Sequence, residues 1–376
     1  MTRDGTIALF FGTRPQVIKA SVLWEALARV APVLAIDTGQ HYDYQLHQVH
    51  YDQLGVRPPN AHLGAGSASH ARQTAAMAAA AEDWLVAHAP RFVVVIGDTN
   101  STVACALAAA KVGIPVAHVE AGLRLSGGGG GGALIPEEVN RRRVDAIATV
   151  LFAPSRRAEE ILRRERPDAA VHFVGDVAYD VLQRTLPRLP SVAAVPVYDR
   201  GWGSEFVFVT LHRAELVDDA EKLAGVMRAL AESPLPGIFP VHPRTARALE
   251  RLGNVPIGRL RRCEPLGYLE SIALLRHAAA AVTDSGGVQR EAYWLGVPCL
   301  TVRDESEWVE TLESGANRLV APAAARELPG AIRGAVAGRG RAGQRGGWDP
   351  VAYGDGGAAE RIATILAACL SSSASK

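Results

Sequence analysis

Residues Ala281 to Val302 read AVTDSGGVQREAYWLGVPCLTV, and the order of residue types along this stretch sets the fold class. An apolar run suited to a β-strand, Ala279 to Thr283, stops at Asp284-Ser285-Gly286-Gly287. A helix-compatible run follows and leads through Gly296 and Pro298 into a second strand. Paired glycines where a strand gives way to a helix leave backbone N–H groups uncovered at the positive end of the helix dipole, which makes an anion site, most often for phosphate. Ser285 adds a hydroxyl donor, and Glu291, one or two turns into the helix, can accept hydrogen bonds from a ribose or another sugar. A βα turn also carries two glycines simply to turn tightly, so the choice rests on the rest of the chain.

The same rhythm extends outward from this stretch. Apolar runs recur at Ile7 to Phe11, Val33 to Ile36, Phe92 to Ile96, Pro115 to Val119 and Val171 to Val174, separated by helix-compatible segments such as Val17 to Arg29, Ala71 to Ala87 and Thr102 to Lys111. Continuous apolar strands alternating with helices predict a parallel sheet covered on both faces, a doubly wound α/β fold. Three prolines fall within Leu186 to Tyr198, after which the rhythm restarts at Phe206 to Thr210, Ile238 to Val241, Ala279 to Thr283 and Cys299 to Val302. The expected division is a first domain over 1–186, a linker over 187–198 and a second domain over 199–356, with a final helix over 357–371 packing back on the first. Two such domains leave a cleft between the carboxyl ends of their strands.

Composition agrees with this division. A chain of 376 residues exceeds what one hydrophobic core usually serves, and 48% hydrophobic with 21% charged residues is ordinary for a globular protein. Lys and Arg number 40 against 39 Asp and Glu, so no overall field draws the chain to nucleic acid or an anionic membrane, and any anion is held locally. The four cysteines form no Cys-x-x-Cys pair, which favours free thiols in a reducing cytosol over a disulfide framework or structural zinc. His41, His47 and His50 match no strong metal-ligand spacing. The start of the chain is too short and too soon interrupted for a signal peptide, and the expected location is cytoplasmic. The six glycines Gly127 to Gly132 read as a mobile loop, and Gly334 to Gly346 as a solvated connector.

Polar residues collect at the expected strand ends. Arg14 and Lys19 follow the first strand in Gly12-Thr-Arg-Pro-Gln-Val-Ile-Lys19, where cations oppose the helix dipole unless an anion is present. Asp98 ends a strongly apolar strand in Gly97-Asp-Thr-Asn-Ser-Thr102, where a helix N-cap is the competing role. Glu120 closes another strand in His118-Val-Glu-Ala-Gly-Leu-Arg124, facing a cleft or bridged to Arg124. Pro136-Glu-Glu-Val-Asn-Arg141 opens a helix in which Glu137 and Arg141 share a face, an arrangement that helix-end charge pairing also explains. Past the linker, His212-Arg213 and His242-Pro243-Arg244 each follow a strand, a pattern that suits a diphosphate clamp.

GTRPQVIKA, TGQHYD, GDTNST, HVEAGLR, PEEVNR, FAPS, VGD, VTLHRAE, the His-Pro pair, TDSGGVQREA, LGVPCLTVRDESEW and YGDG occur in one order, and together they closely resemble the non-hydrolysing UDP-N-acetylglucosamine 2-epimerases from near residue 7 to the final helix. The resemblance implies the glycosyltransferase-B architecture of two Rossmann-like domains, a homodimer, a UDP-hexosamine substrate and no cofactor. It implies interconversion of UDP-GlcNAc and UDP-ManNAc by anti elimination of UDP to 2-acetamidoglucal and its return with inversion at C2. By matching position, Asp98, Glu120 and Glu137 take the catalytic carboxylate places, and His212 the place beside the diphosphate. Arg14, Lys19, Arg141 and His242 become substrate contacts, Ser285, Gly286 and Gly287 the diphosphate turn, and Glu291 the ribose acid. Gln40 and His41 match a segment tied to allosteric activation in bacterial members. Two departures stand out: Ser306-Glu-Trp-Val-Glu310 replaces a common Thr-Glu-Arg-Pro-Glu, and Arg290 stands where an acid is common. A hydrolysing 2-epimerase releasing ManNAc and UDP, a glycosyltransferase on the same fold and a non-catalytic UDP-sugar sensor are the alternatives.

Overall fold

The computed structural model describes residues 5–40, 51–66, 68–125, 135–339, 349 and 351–372; His41 and the glycine run Gly127 to Gly132 lie outside them. They divide into two compact units, one comprising residues up to Arg124, 135 to Thr185 and 351 onward, the other Leu125 and Leu186 to Asp349. In chain order the first unit holds β1 (Ile7–Phe11), α1 (Arg14–Ala28), β2 (Val33–Asp37), β3 (Ala61–His62), α2 (His70–His88), β4 (Phe92–Ile96), α3 (Asn100–Lys111), β5 (Val116–Val119), α4 (Pro136–Ile147), β6 (Val150–Ala153), α5 (Arg156–Glu165), β7 (Ala170–Phe173) and α6 (Val177–Thr185). The second holds β8 (Val207–Thr210), α7 (Ala214–Val217), α8 (Ala220–Ala231), β9 (Gly237–Pro240), α9 (Pro243–Leu252), β10 (Leu260–Cys263), α10 (Tyr268–His277), β11 (Ala280–Thr283), α11 (Gly286–Leu295), β12 (Cys299–Thr301), α12 (Val309–Glu313), β13 (Asn317–Leu319) and α13 (Leu328–Arg339). The last helix, α14 (Ala358–Ser372), returns to the first unit.

Each unit is a parallel sheet, seven strands in the order β3-β2-β1-β4-β5-β6-β7 and six in the order β10-β9-β8-β11-β12-β13. Each is a Rossmann-like, doubly wound sheet of the kind the sequence predicts. In the first sheet β1 pairs with β2 (Ile7 beside Val33) and with β4 (Ile7 beside Phe92). Ala8 and Phe10 of β1 share a core cluster with Ala81 and Leu85 of α2, Cys105 and Ala109 of α3 and Val144 of α4. The alternate residues Ile7, Leu9 and Phe11 point to the opposite face, where α1 lies against β1. Burial on both faces explains why these strands are apolar without a polar alternation.

The stretch 187–198 is folded rather than extended: it carries short 3₁₀ turns at Leu186–Arg188 and Val192–Ala194, and Val195 is buried in a core cluster of the second unit with Phe206, Phe208 and Leu274. Tyr353 to Gly356, assigned by sequence to the second domain, packs in the first unit instead. Tyr353 is fully buried and its carbonyl accepts from Asp176 N at 2.8 Å, while a Cβ on Gly354 would come within 2.8 Å of Gly175 Cα. The connector expected from Gly334 begins as helix, because α13 continues through Gly334 with Leu328, Ala331 and Ile332 buried in the second core and Ala335 and Val336 packed against it. All four cysteines are free thiols, Cys105 and Cys299 buried. No helix among the described residues is long and apolar enough to cross a membrane, and no group of three or more His, Cys, Asp or Glu among them could hold a metal ion.

Asp180 of α6 caps the final helix, accepting from Ala358 N at 3.1 Å and Ala359 N at 2.7 Å. Burial pushes its carboxyl up to about 6, and the two N–H donors pull the other way without cancelling that effect. The native carboxyl thus binds its proton more tightly than the unfolded one, whose ordinary value is 3.8, so this group's contribution to stability is greatest at low pH and is lost as pH rises to about 6. Asp180→Asn, which cannot titrate, should gain stability relative to the parent as pH rises from about 4 to about 7. Melting temperatures of both proteins across that window check it, and a constant difference would refute the raised value.

Candidate active site

In the first sheet the strand order reverses between β1 and β4, and the loops after these strands flank the point where open α/β sheets take their ligands. Gly12 opens the first loop, where a Cβ would lie 1.9 Å from Thr38 Oγ1 and 2.4 Å from Ser101 Oγ, so no other residue fits. Gln16, buried in the first turn of α1, ties this loop to the next. It accepts from Gly12 N (2.9 Å) and Thr13 N (3.1 Å) and donates to Ile96 O (2.7 Å), Thr99 Oγ1 (2.9 Å) and Thr102 Oγ1 (3.0 Å). Gln40 Oε1 accepts from Ser101 N at 2.9 Å and Ser101 Oγ at 2.7 Å, so of the two residues matched to the allosteric segment the described one is tied to the start of α3.

Asp98 does not cap α3. Thr99 does, its hydroxyl accepting from Thr102 N, which leaves the Asp98 carboxylate to pair with Arg141. Glu120 pairs with Lys19 of α1 and not with Arg124, which instead meets Asp145 at 2.7 Å and Glu165. The reason is topological: α1 follows β1, the strand next to β4, which brings Lys19 to the turn beyond β5, whereas the Arg124 guanidinium is taken up by Asp145, Glu165 and the Leu123 carbonyl. Glu120 holds a left-handed backbone, φ 72°, a conformation that costs a non-glycine residue about 1 kcal/mol. Its N–H and that of Ala121 both reach Phe152 O, at 3.1 and 3.0 Å. The strained turn aims the carboxylate over Gly97, where a Cβ would stand 3.5 Å from Glu120 Oε2.

Two further residues brace these turns. His118, fully buried in β5, donates through Nε2 to Gly97 O at 2.8 Å and meets Asp145 Oδ1 through Nδ1 at 2.7 Å. Burial works to raise the Asp145 carboxyl, but His118 and Arg124 beside it together outweigh that and hold it below the ordinary aspartate value. Asn140 of α4 donates to Asp98 O at 3.0 Å and Asn100 Oδ1 at 3.2 Å. Arg141, 1% exposed, lies between Asp98 and Glu138, 3.2 Å from the latter. Arg141 therefore pairs with Glu138 rather than with Glu137, which is half-buried on the first turn of α4. Arg14 begins α1 and is half-buried.

The second sheet reverses between β8 and β11. His212 and Arg213 follow β8; Asp284, Ser285 and Gly286 follow β11. Ser285 is the N-cap of α11, its hydroxyl 3.5 Å from Val288 N. At Gly286 a Cβ would stand 2.6 Å from Trp308 Nε1 and 3.2 Å from Glu307 Oε1, so the turn closes against the Trp308 segment; at Gly287 a Cβ would meet just Ser285 Oγ, at an ordinary 3.7 Å. Glu291 is half-buried on α11. His242 is the N-cap of α9, accepting from Arg244 N at 3.2 Å, and its ring lies 5.7 Å from that of His212. The arginines of the two His/Arg pairs turn to carboxylates instead, Arg244 to Asp218 (2.5 Å) and Arg213 to Glu307 (3.4 Å). The two departures noted in the sequence meet: the Arg290 guanidinium stacks 3.7 Å above the Trp308 ring.

Sequence reading passed over Gln16, His118, Asn140, Asp145 and Asp284. A polar residue inside an apolar run, as His118 is within Val116–Val119, was the available signal; Asp145 carried none, because it lies in a charged helix.

A family model described as UDP-N-acetylglucosamine 2-epimerase matches residues 27–367. A UDP-N-acetylglucosamine 2-epimerase homolog of Methanococcus maripaludis is 41% identical over 84% of this chain and 88% of its own length. The UDP-2,3-diacetamido-2,3-dideoxy-D-glucuronate 2-epimerase of Pseudomonas aeruginosa is 39% identical over 96% of this chain and 99% of its own. The crystal structure of the Methanocaldococcus jannaschii UDP-GlcNAc 2-epimerase, in complex with UDP-GlcNAc and UDP, superposes with a TM-score of 0.85 at 35% identity and covers 96% of this chain and 99% of that one. Strand-end carboxylates paired with cations in one parallel sheet, a Ser-Gly-Gly helix start in the other, and matches spanning nearly the whole chain lead to one assignment: this chain belongs to the UDP-N-acetylglucosamine 2-epimerase family.

Proposed function

We propose that the protein is a non-hydrolysing 2-epimerase that interconverts UDP-GlcNAc and UDP-ManNAc. The reading is carried by the two carboxylate–cation pairs Asp98–Arg141 and Glu120–Lys19 at neighbouring strand ends. The hydrogen at C2 has no adjacent carbonyl to acidify it, so departure of UDP from C1 has to lead or accompany its removal. The C1–O bond breaks with its electron pair going to UDP, a carboxylate takes the C2 proton, and 2-acetamidoglucal results. A proton delivered to the other face of C2 and return of the UDP oxygen to C1 complete the epimerisation.

Asp98, Glu120 and Glu137 carry these proton transfers, and Lys19, Arg141 and Arg14 hold the substrate. In the second unit the N–H groups of the Ser285-Gly286-Gly287 turn take the diphosphate, with His212 and His242 beside it, and Glu291 takes the ribose. The working form in this reading is a cytoplasmic homodimer, as the family resemblance implies. The named substrates of the relatives share UDP and an acetamido group at C2, which supports this substrate class.

Incubation with UDP-GlcNAc in D2O tests the reading. Deuterium should enter C2 as UDP-ManNAc forms, without free UDP building up in proportion to turnover. Free UDP accumulating with turnover would make the enzyme hydrolysing, and absence of C2 exchange would remove the proposal. A parallel incubation with UDP-2,3-diacetamido-2,3-dideoxy-D-glucuronate, exchanging where UDP-GlcNAc does not, would move the substrate.

A further inference from the structure

We infer that Asp284 is a positioning residue for His212, holding a proton on its Nδ1 and so turning Nε2 toward the diphosphate. Asp284 is the residue after β11 and is fully buried. Its Oδ2 accepts two backbone N–H groups, His212 N at 2.7 Å and Arg213 N at 2.8 Å, so one carboxylate oxygen holds the strand end that carries the histidine. The Thr210 and Thr283 hydroxyls, 2.6 Å apart, tie the same two strand ends together. The other oxygen, Oδ1, is buried, makes no hydrogen bond, and stands 3.4 Å from His212 Nδ1.

A buried carboxylate oxygen without a donor is costly, and a small rotation of the imidazole supplies one. The far edge of the ring faces outward, the side chain being 40% exposed, with His242 alongside and Arg213 turned to Glu307. With Nδ1 against a carboxylate, the ring carries its proton on Nδ1. A phosphate oxygen arriving at Nε2 is then met productively by the doubly protonated ring, because a bare Nε2 lone pair would repel it. His212 hands the Nε2 proton to the UDP oxygen as the C1–O bond breaks, returns to the Nδ1–H form, and recovers that proton when UDP re-adds. The proton that charges Nε2 is taken from solvent before the bond breaks, and the ring ends the cycle in the form in which it began.

The inference rests on the reading of His212 as the diphosphate-side residue, but it is tested apart from the epimerisation. In protein labelled with 15N-histidine, with the His212→Asn variant identifying the signal, the neutral His212 ring should show the Nδ1–H pattern; an Nε2–H pattern in the parent protein overturns the inference. In Asp284→Asn the amide oxygen still accepts from His212 N and Arg213 N, while its NH2 faces Nδ1, so the ring should switch to Nε2–H. Turnover should fall on the order of 10²-fold, with KM for the UDP-sugar changed a few-fold at most. In a His212→Asn background the same substitution should cost almost nothing further. Equal losses in both backgrounds would show that Asp284 acts on the fold and not through His212. Failure of C2 exchange in the parent, with the tautomer as expected, would count against the proposed reaction alone.

Discussion

Glu120→Gln should lower the rate of UDP-GlcNAc epimerisation by about 10³-fold or more, and suppress deuterium entry at C2 in step, while leaving the protein folded. Glutamine matches glutamate in size and still offers an oxygen to Lys19, so the ion pair becomes a hydrogen bond and the left-handed turn at residue 120, held by Phe152 O, persists. What is lost is a group able to take or give a proton. Initial rates with UDP-GlcNAc, read alongside a circular-dichroism melt, check both halves of the statement. Turnover near the parent value would leave Glu120 as a holder of Lys19 and pass the chemistry to Asp98 and Glu137.

Arg141→Leu should destabilise the protein by about 3–5 kcal/mol, the loss expected when one partner of a buried ion pair is removed. Arg141 is 1% exposed and so is Glu138, which the substitution leaves buried with Arg142 beside it at 2.7 Å. Asp98, whose side chain is 29% exposed, can recover water and suffers less. Adding Glu138→Leu should restore part of the stability, since an apolar pair of similar volume removes the stranded charge. Urea unfolding of the parent and the two variants measures this, and a loss below about 1 kcal/mol for Arg141→Leu would mean that Glu138 finds another partner.

The strands that sequence reading recovered and those it missed differ for a physical reason. Phe92–Ile96 and Val207–Thr210 lie inside their sheets, are buried on both faces, and so stand out as unbroken apolar runs. Leu260-Arg-Arg-Cys263 and Asn317-Arg-Leu319 are the two outer strands of the second sheet; their arginines reach solvent, and nothing in their composition separates them from loop. Val150–Ala153 was within reach, an apolar run of four between two helices, and went unread because it follows α4 after two residues. In the candidate site, the positions after strands were legible because a charged residue ending an apolar run has one geometric meaning. Their partners were not: Lys19 lies 101 positions from Glu120, and the sequence offered Arg124, four positions away, in its place.

Local residue order is enough to specify two parallel α/β sheets and the gathering of acids, histidines and the Ser-Gly-Gly turn at the carboxyl ends of strands, because burial on both faces and helix-start chemistry leave marks in it. Which charges meet is settled in three dimensions. Strand order reverses between β1 and β4 and again between β8 and β11, which sets Lys19 against Glu120, Arg141 against Asp98 and Asp284 against His212. Such pairings depend on sheet order and side-chain reach, which act between residues far apart along the chain.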